Sequence, residues 1–148
     1  MENQSYYRSW ENSGCDVEVN DRYLVVNCTG CCVLPQPFTS HNKSGRKDYY
    51  LLYMCRGKMS VLVNGEMKDM YAGQFIIFFP ECEYKYTSQG EEEVIYYWAH
   101  FTGYGAVQLL KNCRIYGNNI FNVGYNKQVV HEFSNMFTEF IRRDYCFE

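Results

Sequence analysis

The stretch Met59-Ser-Val-Leu-Val-Asn-Gly-Glu-Met-Lys-Asp-Met-Tyr71 sets two short strand-like runs on either side of Asn64-Gly65. That dipeptide supplies the two positive φ angles of a type I′ turn, whose twist matches that of paired antiparallel strands, so the stretch predicts a β-hairpin. The pattern continues on both sides of it. Upstream, Tyr49–Arg56 is an apolar, aromatic run stopped by Gly57. Downstream, Ala72-Gly73 turns into Gln74–Phe79, and Pro80 closes that strand. Cys82–Ser88 alternates in period two, Gln89-Gly90 turns again, and Glu93–Phe101 makes a long last strand. An earlier strand is expected over Arg22–Cys28, broken by Gly30, Pro35 and Pro37, with Thr39–Lys47 as a polar loop. Short strands in such close succession predict a sandwich or barrel.

After Gly103 the period changes. Tyr104–Asn112 reads as a short helix, with Val107, Leu109 and Leu110 on one side. Lys127–Arg143 carries Val130, Phe133, Phe137 and Phe140 at three- and four-residue steps, widened by Val129, Met136 and Ile141. That is a broad apolar stripe, able to serve both its own barrel and a partner helix.

The chain has 148 residues, of which 47% are hydrophobic, enough for one domain with its own core. Aromatics reach 18%, including 15 Tyr and 10 Phe, which favours pleated surfaces and suits the wall of a polar-ligand pocket. The net charge of −3 leaves no basic stripe for nucleic acid. Neither a membrane-spanning run nor a signal peptide is visible, so the chain is expected to be cytoplasmic. Its eight cysteines lack the spacing of a disulfide framework and are expected to be reduced thiols. Cys28-Thr-Gly-Cys31-Cys32 has no second ligand pair for zinc. It leads into Val33-Leu-Pro-Gln-Pro37, which cannot form the helix of a thioredoxin-like site.

Period two also sorts the faces of the strands. Val94, Tyr96, Trp98 and His100 share one side of the last strand, and Ile95, Tyr97, Ala99 and Phe101 the other. Cys82, Tyr84 and Tyr86 fall together, as do Tyr50, Leu52, Met54 and Arg56. If these mixed faces line the lumen, Arg56, Tyr84, Tyr86, Tyr96 and Trp98 meet in one cavity. There a hydroxyl-rich or anionic ligand would pair the guanidinium, and Trp98 would offer a flat surface to the C–H face of a sugar. Arg56 could equally cap the strand end at Gly57 and reach solvent. His41, His100 and His131 are isolated from one another in sequence, so neither a metal site nor a cofactor is expected, and no nucleophile or phosphate-loop motif supports an enzyme.

Asp48-Tyr-Tyr-Leu-Leu-Tyr-Met-Cys-Arg-Gly57, Val63-Asn-Gly65, Ala72-Gly-Gln-Phe-Ile-Ile-Phe-Phe-Pro80 and Tyr97-Trp-Ala-His-Phe-Thr-Gly103 resemble, in order and spacing, the N-terminal effector-binding and dimerisation domain of AraC-type transcription regulators. The resemblance runs on to about Tyr145. It implies a mainly β fold, a cupin-like antiparallel barrel (double-stranded β-helix) over residues 1–103 with an N-terminal arm, and a helical dimerisation region over 104–148. It implies a small effector in the lumen, often a sugar, and a homodimer formed through the C-terminal helices, here through Phe133, Met136, Phe137 and Phe140. A helix-turn-helix DNA-binding domain normally follows, and its absence implies that this chain is a piece of a longer regulator that meets DNA only through that domain. In sugar-responsive members, Arg56 matches an arginine that grips hydroxyls, while Tyr86, Tyr96 and Trp98 match a tyrosine, a histidine and a tryptophan of the pocket. Tyr96 therefore departs from the pattern, and Tyr84 stands where many members have a histidine. The alternatives are a cupin-fold sugar-processing enzyme such as an isomerase and a free-standing carbohydrate-binding module.

Overall fold

The computed structural model describes residues 2–8, 15–35 and 37–143. The chain forms β1 (Gln4–Tyr7), β2 (Val25–Leu34), β3 (Phe38–Asn42), β4 (Tyr49–Arg56), β5 (Lys58–Val63), β6 (Glu66–Tyr71), β7 (Gln74–Phe78), β8 (Tyr84–Ser88), β9 (Val94–Thr102), α1 (Ala106–Asn112), β10 (Ile120–Asn122) and α2 (Lys127–Arg142). Two antiparallel sheets result, one ordered β1-β2-β9-β4-β7-β10 and the other β3-β8-β5-β6. Among the described residues no ladder joins the sheets, so the expected barrel is open at its seams while keeping the cupin-like facing of two sheets.

The hairpin expected at Asn64-Gly65 is present. Val63 pairs with Glu66 across Asn64 and Gly65, whose φ angles are 51° and 83°. Such angles cost glycine nothing and asparagine little.

The facing sides of the sheets enclose the main core. Leu52, Met54, Met59, Val61, Val63, Met70, Ile76 and Phe78 fill it together with Tyr50, Tyr84, Tyr86, Tyr96 and Trp98. A second apolar layer lies outside the larger sheet, where α2 sets Phe133 and Phe137 against Tyr53, Tyr97 and Ala99. The α2 helix starts at an Asn126 cap, whose Oδ1 accepts from the Gln128 amide at 2.8 Å. Beneath α1, Ala106 and Leu110 pack with Tyr49 and Ile77.

Four sequence expectations need correction. The Arg22–Cys28 strand begins at Val25 and does not stop at Gly30; it runs to Leu34, pairing with β9 from Thr102 to Val94. Thr39–Lys47 is not wholly a loop, because β3 reaches Asn42 and pairs with β8. Its polar residues face water on one side, where the Thr39 and Thr87 hydroxyls lie 2.7 Å apart, while Phe38 packs on the core. The chain between the two helices, for which the sequence pattern predicts no element, contains β10, an edge strand that stacks Phe121 on Phe75. Finally, the cysteines are not all thiols. Cys15 and Cys28 form a disulfide, because the chain before β2 passes over the barrel end and brings the two Cα atoms within 5.6 Å. Cys31, Cys32, Cys55, Cys82 and Cys113 are not disulfide-bonded, and Cys146 lies outside the described residues.

Candidate functional site

The lumen wall is built by parity. On β9 the alternate residues Val94, Tyr96, Trp98 and His100 point between the sheets, and Tyr84 and Tyr86 of β8 come at them from the opposite sheet. Four of the five expected site residues, Tyr84, Tyr86, Tyr96 and Trp98, therefore share one aromatic cluster, each less than a tenth exposed. Tyr86 meets Tyr96 edge-on at 6.1 Å between ring centroids and lies parallel to Tyr84 at 6.3 Å. The Tyr86 hydroxyl is 3.1 Å from that of Tyr50, so two phenols already share a hydrogen bond within the wall.

The fifth residue, Arg56, is elsewhere. Its side chain is more than half exposed, with the Glu93 carboxylate 4.0 Å away. The expected guanidinium in the lumen is thus corrected, and the cause is a bulge. Met54 pairs with Tyr96 but Arg56 pairs with Ile95, so Cys55 is an extra residue that breaks the alternation begun by Tyr50, Leu52 and Met54. Ile95 belongs to the outer layer, and Arg56 follows it out of the core.

At one end of the lumen lies a charged cluster that sequence reasoning missed. Asp48, fully buried just ahead of β4, accepts from Arg46 Nε at 2.7 Å and from Asn27 Nδ2 at 3.0 Å. His100 Nδ1 stands 3.4 Å from the same carboxylate, close enough to attract but outside hydrogen-bonding geometry. Burial alone would push the Asp48 carboxyl up, yet His100, Arg46 and Asn27 together outweigh it and hold it below the usual carboxylate range. Burial also pushes His100 down, with Arg46 adding to that and Asp48 opposing it. The imidazole stacks on Tyr50 with ring centroids 4.2 Å apart. The available signals were the shared parity of His100 with Trp98 and the Arg46-x-Asp48 spacing at the start of a strand.

Four side-chain polar atoms are buried without a hydrogen-bond partner among the described residues: Trp98 Nε1, His100 Nδ1, Asn27 Oδ1 and, just past β1, Arg8 Nε. Buried donors and acceptors are ordinarily paired, and leaving one unmade costs about 1–3 kcal/mol, so such atoms concentrate where a ligand or water is taken up. The phenols are correspondingly hard to ionise. Burial raises Tyr50 and Tyr96 far above the ordinary tyrosine value, so they act as neutral hydrogen-bonding groups. Among the described residues no three His, Cys, Asp or Glu side chains are grouped to hold a metal ion.

The remaining expected residues lie on α2. Phe133, Phe137 and Phe140 are buried within the chain itself, and Met136 is half-buried. Phe137 stacks on Tyr97 at 6.0 Å and meets Tyr6 of β1 at 4.9 Å.

Residues 35–144 match the family model described as the AraC-like ligand binding domain. The chain belongs to that family. No curated protein matches it. Among solved structures it is similar to ToxT from Vibrio cholerae O395, bound to (E)-4-(8-methylnaphthalen-1-yl)but-3-enoic acid. That match has a TM-score of 0.57 and 15% identity, covering 80% of this chain and 49% of that one. Apo ToxT K231A from Vibrio cholerae strain SCE256 gives 0.52 at 13% identity, covering 86% and 50%. YhaK from Escherichia coli gives 0.54 at 11% identity, covering 84% and 51%. At these identities the likeness is one of fold, and this AraC-like domain spans about half the length of each of those chains. None of its described helices is long and apolar enough to cross a membrane.

Proposed function

We propose that this domain senses a small, neutral, hydroxyl-bearing effector, a carbohydrate in the first instance, between its two sheets and performs no chemistry on it. The observation that carries this is Trp98. Its indole nitrogen is a buried donor with no partner among the described residues, set on the same face as Tyr96 and across from Tyr86. An indole presents a flat apolar face to sugar C–H groups and an N–H to an oxygen, while Tyr50, Tyr86 and Tyr96 offer hydroxyls that both donate and accept. Tyr84 completes the wall. With Arg56 outside the cluster and Arg46 already committed to Asp48, neither of these two guanidinium groups is free to pair a carboxylate or phosphate on the effector. Neutral sugars and polyols fit this wall better than uronic acids.

In this reading the effector redistributes the domain between two arrangements of arm, sheets and helices, and that shift reaches a DNA-binding domain attached in the full-length cytoplasmic regulator. Self-association through the helical region is part of the proposal. Because Phe133 and Phe137 are occupied by their own sheet and Phe140 is buried, the partner is met by the outer side of α2, where Ile141 is 66% exposed.

A thermal-shift screen over neutral monosaccharides, disaccharides, polyols and uronic acids tests the effector class, since a ligand that binds only the native state raises its apparent stability. A neutral sugar or polyol should raise the melting temperature of the wild type and do so much less in Trp98→Phe. A best response from an anionic ligand, or an equal response in Trp98→Phe, refutes the assignment.

A further inference from the structure

The N-terminal arm leaves the larger sheet opposite one residue and comes back to that same residue. In β1, Tyr7 pairs with Cys28, and the following Arg8 amide donates to the Asn27 carbonyl at 2.9 Å. Cys15 then closes onto Cys28 through the disulfide. The two sulfurs differ in access. Cys28 is fully buried and belongs to the lumen core, whereas Cys15 is partly exposed at the rim.

The chain that follows Cys15 is otherwise lightly held. Residues 16–18 and 20 are exposed and Val19 is half-buried. Among the described residues its polar ties run to three places: Asn27 Nδ2 donates to the Val17 carbonyl at 2.8 Å, the Val19 amide donates to Thr102 Oγ1 at 3.3 Å, and the Lys47 amide donates to Asp16 Oδ1. A segment that buries so little apolar surface opens readily once its covalent tie is gone. Beneath it lies the Asn27–Asp48–His100 cluster, with Asn27 Oδ1 and His100 Nδ1 unpaired among the described residues, so admitting water there satisfies groups that the closed segment leaves unmade.

We propose that Cys15–Cys28 is a redox latch: a dithiol reductant releases residues 15–20 from the barrel end, and reoxidation fastens them again. Attack comes at the exposed side. A reductant thiolate bonds to Cys15 Sγ, the Cys15–Cys28 bond breaks, and its electron pair leaves on Cys28 Sγ, which takes a proton. The second thiol of the reductant then attacks the mixed disulfide, freeing Cys15 as a thiol and leaving the reductant as a disulfide, with two electrons and two protons transferred in all. In a reducing compartment such bonds are characteristically transient and sensory rather than permanent. Release also loosens the neighbouring β1 strand, which beyond its ladder with β2 meets α2 through Tyr6 on Phe137 and the α2 C-cap through the Arg143 guanidinium, which donates to the Tyr7 carbonyl at 3.1 Å. That the opened end admits an effector rests on the proposed sensing function; the latch itself does not.

The test needs no effector. Peptide mapping of the whole non-reduced protein, with free thiols alkylated, should recover Cys15 and Cys28 as one linked pair after treatment with oxidised dithiothreitol. On reduction with dithiothreitol, amide hydrogen exchange in peptides covering residues 15–20 should quicken by about tenfold or more, and that in residues 2–8 by a smaller factor, with β9 and the centre of α2 unchanged. Cys15→Ser should show the fast exchange in both states, and Cys32→Ser should keep the wild-type response. Both cysteines found alkylated under oxidising conditions would refute the latch, and so would a linked pair whose reduction leaves exchange in residues 15–20 unchanged. If Cys15→Ser fails to fold, reduced wild-type protein makes the same distinction without any substitution. A latch that opens on reduction in a protein that answers no sugar would refute the sensing proposal while sustaining this one.

Discussion

The indole of Trp98 lies across Gly30: a Cβ on that glycine would stand 2.6 Å from Trp98 Cζ2 and would collide with the Gln4 carbonyl oxygen. Gly30 therefore does not interrupt β2. It lets a tryptophan on the next strand and the backbone of β1 approach one another over the same Cα.

Gly30→Ala should consequently destabilise the fold by about 1–3 kcal/mol, the usual cost of forcing extra volume into a packed core. Because Gln4 offers backbone rather than a flexible side-chain end, relief must come from shifting β1 or turning the indole. A urea titration followed by circular dichroism reads the stability, and tryptophan fluorescence reads the ring's surroundings. An unchanged midpoint would mean that β1 does not lie there in solution.

Phe137 is predicted to matter for the chain's own stability, ahead of any partner. Its ring is buried between Tyr97 and Tyr6, so Phe137→Ala should cost about 3–5 kcal/mol in chemical denaturation. Ile141→Asp, at a 66% exposed position, should leave that stability within about 0.5 kcal/mol. If α2 meets a second copy through its outer side, the same variant should shift sedimentation toward monomer at equal concentration. A sedimentation profile indistinguishable from wild type would remove the outer side of α2 from the proposed interface.

Acid sensitivity should come in two stages. The folded-state value of His100 lies below its ordinary 6.5, so as pH falls the unfolded chain takes up that proton first. The stability linked to His100 is then complete above pH 6.5 and declines below it, by at most about 1.4 kcal/mol per pH unit for one proton. Asp48, held below its ordinary 3.8, adds a second loss as pH falls past that value. Denaturation midpoints measured at half-unit steps should show the first decline in the wild type and not in His100→Asn. Parallel curves for the two proteins would locate the sensitivity elsewhere.

Most of the fold could be read from the sequence because its signals are local. Asn64-Gly65, Gly73, Pro80 and the period-two alternation of Val94–His100 each act within a few residues, and each strand they mark is present. What could not be read depends on partners distant in the chain. β3 and β10 are strands because β8 and β7 offer them an edge, and β1 because β2 does, while Pro-, Asn- and Ser-rich stretches give no sign of it. The lumen tyrosines and Trp98 followed from parity alone. Arg56 did not, since counting in twos fails beyond the extra Cys55, whose bulge no residue type announced. The Cys15–Cys28 bond joins residues that no spacing rule pairs.

The two-faced character of β9 bears on how this chain can change over time. Within nine residues it supplies Tyr96, Trp98 and His100 to one side of the sheet and Tyr97 and Ala99 to the footing of α2 on the other. Inserting or deleting a single residue inside it would exchange the two sets, emptying the lumen of its rings and crowding them under the helix. Lineages of this domain should accordingly vary β9 only by substitution and take their length changes next to it, in the exposed Gln89-Gly90-Glu91-Glu92 connection. The strand that most constrains the lumen wall thus sits directly beside the segment freest to lengthen.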